Sequence, residues 1–317
     1  MCLKYVLSAA IVLFSVFVNA ADSPETPVWQ MSIGQVREIT NLTGTGKDLT
    51  PVRWPDNKKT AVLFSFDVDN QPAMLIRGER ERGALSIGEF GARRGIKRIV
   101  EVLDENEIPA TFFVPVLSLR LDPEMIGIID QSGVHEYAAH GWAHEAARDL
   151  TPQQQRKKFQ DTVLEITKLT GQTPVGFRAP YSSLTNHTFP IIKDLGFLYD
   201  SSLMADDQPY ELDVEGEPSG LVELPPSFYL SDVALALTPN RSLYSPRQVL
   251  QQAKDAFDVI HSEGGMMIFV MHPHVGGRAS RIILLKELIH YMKQRNDVWF
   301  ATHKQAAQYL IEMGLEN

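Results

Sequence analysis

Four short stretches of this sequence hold side chains that can move protons or bind a cation. The first, Phe66-Asp67-Val68-Asp69-Asn70, closes a run of apolar and aromatic residues over 60–66. Carboxylates two apart on an extended chain share a face. Buried together, two such anions repel unless a cation or a shared proton intervenes. The plain alternative is a pair of capping or loop acids; the chemical one is a metal ligand beside a general base. The second stretch, His140-Gly141-Trp142-Ala143-His144, spaces two imidazoles i, i+4. One helical turn would bring both rings to one side, which suits two nitrogen ligands of a metal. In the third, Phe177-Arg178-Ala179-Pro180-Tyr181, Arg178 is either the ordinary partner of a buried carboxylate or the tether of Asp67 or Asp69. There the Tyr181 backbone N–H can face a developing oxyanion. The fourth, Met271-His272-Pro273-His274, sets two histidines around a proline. A lone histidine at a strand end is usually just hydrogen-bonded, but this placement suits a general acid. His135, His187, His261, His290 and His303 have no such company and are assigned to the surface or to packing. There is no Gly-x-Ser-x-Gly elbow for a serine nucleophile.

These stretches need elements that gather them. Strand-like runs fall at 60–66, 110–116, 135–140, 175–178, 198–201, 221–224, 266–271 and 298–302. Helical patterns lie between most of them: apolar spacing over 94–103, a Thr151-Pro152 start running to Gly171, a Ser245-Pro246 start running to Gly264, and segments 281–295 and 304–313. Eight strands with intervening helices predict a parallel sheet, either a (β/α) barrel of seven or eight strands or an open doubly wound sheet. Barrel sites sit at the C-terminal ends of strands, where all four stretches fall. The segments 206–220 and 70–95 read as loops. The second is long for a βα connection and basic, so it is either a lid that attracts an anionic substrate or a solvated loop used in subunit contact.

Composition bounds the rest. With 44% hydrophobic and 22% charged residues in 317, the chain is an ordinary globular protein. A net charge of −9 argues against a dedicated nucleic-acid binder. Lys4, the apolar run 5–18 and Val18-Asn19-Ala20 read as a secretory signal peptide over 1–20, rather than an uncleaved anchor. The only cysteine, Cys2, leaves with it, so thiol catalysis and disulfides are excluded from the mature chain. The expected organisation is leader 1–20, an irregular lead-in 21–59 and a barrel 60–317. The protein is expected to be periplasmic or secreted, with no stable membrane anchor after cleavage.

Taken as a set, the four stretches resemble the motifs of the polysaccharide deacetylase, or NodB-homology, family. Glu89-Phe-Gly-Ala-Arg93, Tyr199-Asp-Ser-Ser202 and His272-Pro-His-Val-Gly-Gly-Arg278 are similar to the branch that includes a peptidoglycan deacetylase and a bacterial allantoinase analogue. The resemblance implies an irregular (β/α) barrel and often a homo-oligomer. It implies Asp67 as general base, tethered by Arg178, and His272 as general acid. Asp69, His140 and His144 would bind a divalent metal, commonly zinc. Tyr181 and Trp142 would border the substrate. Two departures stand out: a residue separates the two aspartates of the first motif, and the fourth motif has only Asp232 as a candidate. The expected activity is removal of acetyl groups from N-acetylated sugars of a cell-envelope glycan. The alternatives are hydrolysis of a small cyclic amide or ureide, and a catalytically dead glycan-binding barrel.

Overall fold

A computed structural model describes residues 27–41, 44–214, 216–233 and 244–314; the leader read over 1–20, with Cys2, lies outside the described residues. A 3-10 turn at Val28–Gln30 and helix α1 (Ile33–Thr40) belong to a first unit, Met1–Thr40. The second unit, Asn41–Asn317, carries the sheet and the candidate site.

Its strands are β1 (Thr45–Asp48), β2 (Thr60–Asp67), β3 (Ala110–Val114), β4 (Glu136–Ala139), β5 (Gly176–Phe177), β6 (Tyr199–Asp200), β7 (Tyr210–Val214), β8 (Glu217–Glu223), β9 (Met266–Met271) and β10 (Val298–Phe300). Its helices are α2 (Asn70–Ile76), α3 (Arg82–Phe90), α4 (Ile96–Glu105), α5 (Val116–Leu121), α6 (Glu124–Ile129), α7 (Pro152–Thr170), α8 (Thr188–Asp194), α9 (Pro246–Glu263), α10 (Pro273–Gly276), α11 (Ile282–Met292) and α12 (His303–Gly314). Each of the eight runs read as strands forms one, and all eight are joined in parallel. The order is β1-β7-β8-β6-β5-β4-β3-β2-β10, with β9 also on β2. Along β2, β9 takes one edge over residues 61–66, while β10 and then β3 share the other. The result is a curled, irregular (β/α) barrel rather than an open doubly wound sheet.

Alternation along the strands sorts the core into two layers. Val62, Phe64 and Phe66 of β2 pack outward with Phe112, Phe269, Ile99, Leu103, Leu285 and Leu288. Ala61 and Leu63 face inward with Phe113, Ala138, Tyr199, Val222, Ile268 and Val270. Ser65 and Asp67 continue the inward parity, so the strand delivers a carboxylate to the barrel mouth.

Two readings are corrected. The segment 206–220 is not a loop: it holds β7 and the start of β8, an antiparallel pair. Tyr210 and Leu212 are buried at period two, a signal diluted by the polar residues between them. The segment 70–95 is not a loop either. It folds as α2, α3 and a π-helical turn, Gly91–Gly95. Gly91 and Gly95 let that turn approach α10 closely: a Cβ on Gly95 would strike the Pro273 carbonyl, and one on Gly91 would meet Asn70 and the His274 backbone.

The long helices end where their capping residues say. Thr151 and Gln154 form a capping box on α7, Ser245 and Gln248 form one on α9, and Gly171 and Gly264 close the two in left-handed conformation. Among the described residues no helix is long and apolar enough to cross a membrane.

Candidate active site

Register carries the site from strand to strand. Phe66 pairs with Met271, Asp67 with Phe113, Val114 with Ala139, Ala139 with Phe177, and Phe177 with Asp200. Asp67, His140, Arg178, Ser201 and His272 therefore reach the same rim. They line one cavity of about 370 Å³ with Asp69, His144, Tyr181 and His274.

Arg178 is buried and organises the inner wall. Its Nη1 donates to Asp67 Oδ1 at 2.6 Å and to Ser65 Oγ at 3.1 Å. Nε donates to the Ser201 carbonyl and Nη2 to Ser201 Oγ, both at 2.9 Å. The guanidinium lies 3.9 Å from the Phe113 ring centroid. His303, assigned from sequence to ordinary packing, sits 3.5 Å from Arg178 Nη2. Burial, then the Arg178 charge, push its imidazole well below the usual range, so it remains neutral. Arg178 thus holds Asp67 on one side and the end of β6 on the other.

Asp69, His140 and His144 meet without the helical turn that their spacing suggests. Gly141 (φ 74°) and His144 (φ 66°) are left-handed, and this loop brings the rings to 5.0 Å between centroids. Glu145 holds the loop by accepting from the Trp142 and Ala143 N–H groups at 3.0 and 2.6 Å. Asp69 has likewise left the strand, with helical φ −59° and ψ −47° at the start of α2. The shared-face argument therefore fails locally, yet both aspartates reach the cavity because the chain turns into α2. Asp69 lies 3.4 Å from both His140 Nε2 and His144 Nε2. One ligand atom from each of the three lies within 4.8 Å of the others.

The donor set fits a divalent cation. His140 Nδ1 is 2.7 Å from the Arg178 carbonyl. That oxygen can only accept, so Nδ1 carries a proton, and a ring without a second proton turns its Nε2 lone pair to the Asp69 carboxylate. Asp69 Oδ1 is buried with no hydrogen-bond partner among the described residues. Facing acceptors of this kind need a positive charge between them. Burial alone would raise the Asp69 pKa, but the imidazoles of His144, His272 and His140 around it outweigh that and hold the carboxyl below the usual range.

His272 completes the wall. Its Nδ1 is 2.8 Å from Asp232 Oδ1, and its N–H donates to the same carboxylate. Nε2 lies 3.8 Å from Asp67 and 3.7 Å from Asp69. Burial would lower its pKa; Asp69 and Asp232 outweigh that and raise it to about 9. At 3.8 Å, His272 Nε2 and Asp67 leave no room for a substrate group between them. The scissile group must lie against both.

Tyr181 is left-handed (φ 59°) and its ring packs edge-on against His144 at 4.5 Å. Trp142 does not line the cavity. Its ring instead takes the cations of Arg120 and Lys158, 5.3 and 5.2 Å from its centroid, because the left-handed loop turns that side chain outward. Sequence reasoning gave Ser65 and Ser201 no role. The quoted run Tyr199-Asp-Ser-Ser202 was the signal for Ser201.

A sequence profile described as Polysaccharide deacetylase matches residues 84–199, a span that contains His140, His144 and Arg178 but not Asp67, Asp69 or His272. The chain is 32% identical to a Mycobacterium smegmatis structure assigned to the polysaccharide deacetylases, covering 85% of this chain and 96% of that one at TM-score 0.76. It is 28% identical to the peptidoglycan deacetylase of Helicobacter pylori, over 80% of this chain and 97% of that one. PuuE allantoinase shares the fold at TM-score 0.74 and 24% identity, covering 82% of this chain and 93% of that one. Together these likenesses define a hydrolase of carbon–nitrogen bonds other than peptide bonds. The chain belongs to the polysaccharide deacetylase family, the group with NodB homology.

Proposed function

We propose that the protein is an exported, metal-dependent deacetylase of N-acetylated sugars in a cell-envelope glycan. One observation carries the reading: Asp69, His140 and His144 converge within 4.8 Å, beside a carboxylate and an imidazole that can trade protons. One carboxylate and two imidazoles suit zinc with open positions. With such a cation bound, the trio supplies polarisation of the amide carbonyl and a lowered pKa for water.

The chain's own residues do the rest. Asp67, fixed by Arg178, takes the proton of the attacking water. The Tyr181 backbone N–H supports the developing oxyanion. His272, kept protonated beside Asp232, gives its Nε2 proton to the departing nitrogen, which cannot leave as an anion. A cavity of about 370 Å³ falls within the range of small-molecule sites and admits one acetamido sugar. The peptidoglycan deacetylase relative supports the envelope substrate, and the 1–20 leader supports export to the periplasm or beyond.

The test is a substrate panel with and without chelator. Acetate is expected from N-acetylglucosamine oligomers, with loss on chelation and recovery on adding zinc. Ring opening of small ureides without acetate release would replace the reading with that of a small-amide hydrolase.

A further inference from the structure

Helix α2 runs beside the cavity and is capped by Arg77, which lines the cavity rim. Arg77 Nη2 reaches only Met74 Sδ, at 3.1 Å, and among the described residues no carboxylate pairs with it. The cavity's own acids are engaged elsewhere, Asp67 with Arg178 and Asp69 with the histidine pair, and Asp232 behind the wall is taken by His272. Arg178 is fully committed, and Arg278 lies flat on Phe90 at 3.7 Å.

Two more groups share this rim. His274 is 3% exposed, and its Nδ1 has no hydrogen-bond partner among the described residues. Burial and the neighbouring His272 charge push it down to about 3, so it is a neutral ring. The Tyr181 side chain is 45% exposed, and its hydroxyl makes no hydrogen bond among the described residues. Arg77, Tyr181 and His274 line the same cavity. A guanidinium, a phenol and an imidazole N–H are donors, and the guanidinium cannot accept at all. Their complement is an oxygen-rich anion, for which arginine offers a planar fork.

We propose that Arg77, His274 and Tyr181 form a carboxylate-recognition subsite, so that this cavity selects N-acyl substrates bearing a carboxylate near the amide to be cleaved. This deepens the deacetylase reading and rests on it for turnover but not for binding. The carboxylate can be borne by a sugar, as in a lactyl ether, or by an amino acid.

The experiment is calorimetric titration of the full chain with N-acetylmuramic acid, N-acetylalanine and neutral N-acetylglucosamine. The wild type is expected to bind an acidic probe about ten-fold more tightly than the neutral one, and less so at high salt. The acidic probe that binds tighter identifies the source. In Arg77→Gln the preference collapses toward one, and in Arg77→Lys part of it returns. Equal binding of all three probes by the wild type overturns the proposal. So does an Arg77→Gln variant that weakens acidic and neutral probes alike, since that would make Arg77 a structural residue of the cavity wall rather than a partner of the carboxylate. Absence of acetate release would sink the deacetylase reading alone, because the titration needs no turnover.

Discussion

Two pairs of buried carboxylates in this molecule live in opposite ways. Asp67 and Asp69, 6% and 7% exposed, stand among Arg178 and three histidines. Asp200 and Glu223 are fully buried, paired by register on the sheet face opposite Arg178's side. Their donors are the Ser202 N–H and Oγ and the Leu203 N–H. Among the described residues Glu223 Oε2 has no hydrogen-bond donor from outside the pair. Burial raises Asp200 to about 6, and burial with the Asp200 charge puts Glu223 well above its usual range. Glu223 is therefore the protonated partner, and its own hydrogen satisfies the pair. The cavity pair is surrounded by cationic and imidazole groups and made for chemistry. The second pair is half neutral and fixes the 201–203 segment, from which Ser201 holds Arg178. Environment, not residue type, divides the roles.

The largest expected effect separates the pairs by activity. Asp67→Asn should lower kcat/KM for acetate release by on the order of 10²–10⁴, while Glu223→Gln, whose amide can donate to Asp200, should stay within a few-fold. A Glu223→Gln enzyme as weak as Asp67→Asn would break the comparison. Next, Arg178→Met leaves Asp67 buried without its partner. A loss of about 3–5 kcal/mol in denaturant unfolding is expected.

The third prediction concerns pH and stability. A carboxyl whose folded pKa is raised binds extra protons when folded, so its contribution is fully present below about 4 and is lost as pH rises through about 6. Wild type minus Asp200→Asn should show a stability difference that falls by on the order of 2 kcal/mol between pH 4 and pH 7. Urea melts at the two values measure it, and a flat difference would remove the raised pKa from the account. The smallest effect tunes the cavity side. The alkaline limb of kcat/KM should report the loss of the His272 proton, which Asp232 helps to hold. In Asp232→Asn it should move down by about one unit, since one of the two carboxylates that hold the proton is gone.

Much of this was legible because period and punctuation agree. The β2 and β9 runs are apolar throughout, as strands buried on both faces are, and α7 and α9 carry their caps in Thr-Pro and Ser-Pro. Four of the parallel strands, β2, β4, β5 and β9, end on or just before the residues with chemistry. What sequence hid was set by contacts across the fold. β1 is a polar four-residue strand that exists because β7 pairs with it. The two histidines meet through left-handed Gly141 and His144, which an i, i+4 spacing does not reveal. Trp142 faces outward for the same reason. Asp232 was nameable only as a candidate, because its partner His272 lies 40 positions away.

The tight seat of α10 on the Gly91–Gly95 turn has a reach beyond packing. Neither glycine borders the cavity, yet the strip they press against begins just after His272 and carries His274. A single methyl group added at Gly95 would shove the Pro273 carbonyl and tilt both imidazoles off target. Drift in this outlying turn is therefore restrained by events at the mouth, and random mutagenesis should find inactivating hits here that touch no substrate atom.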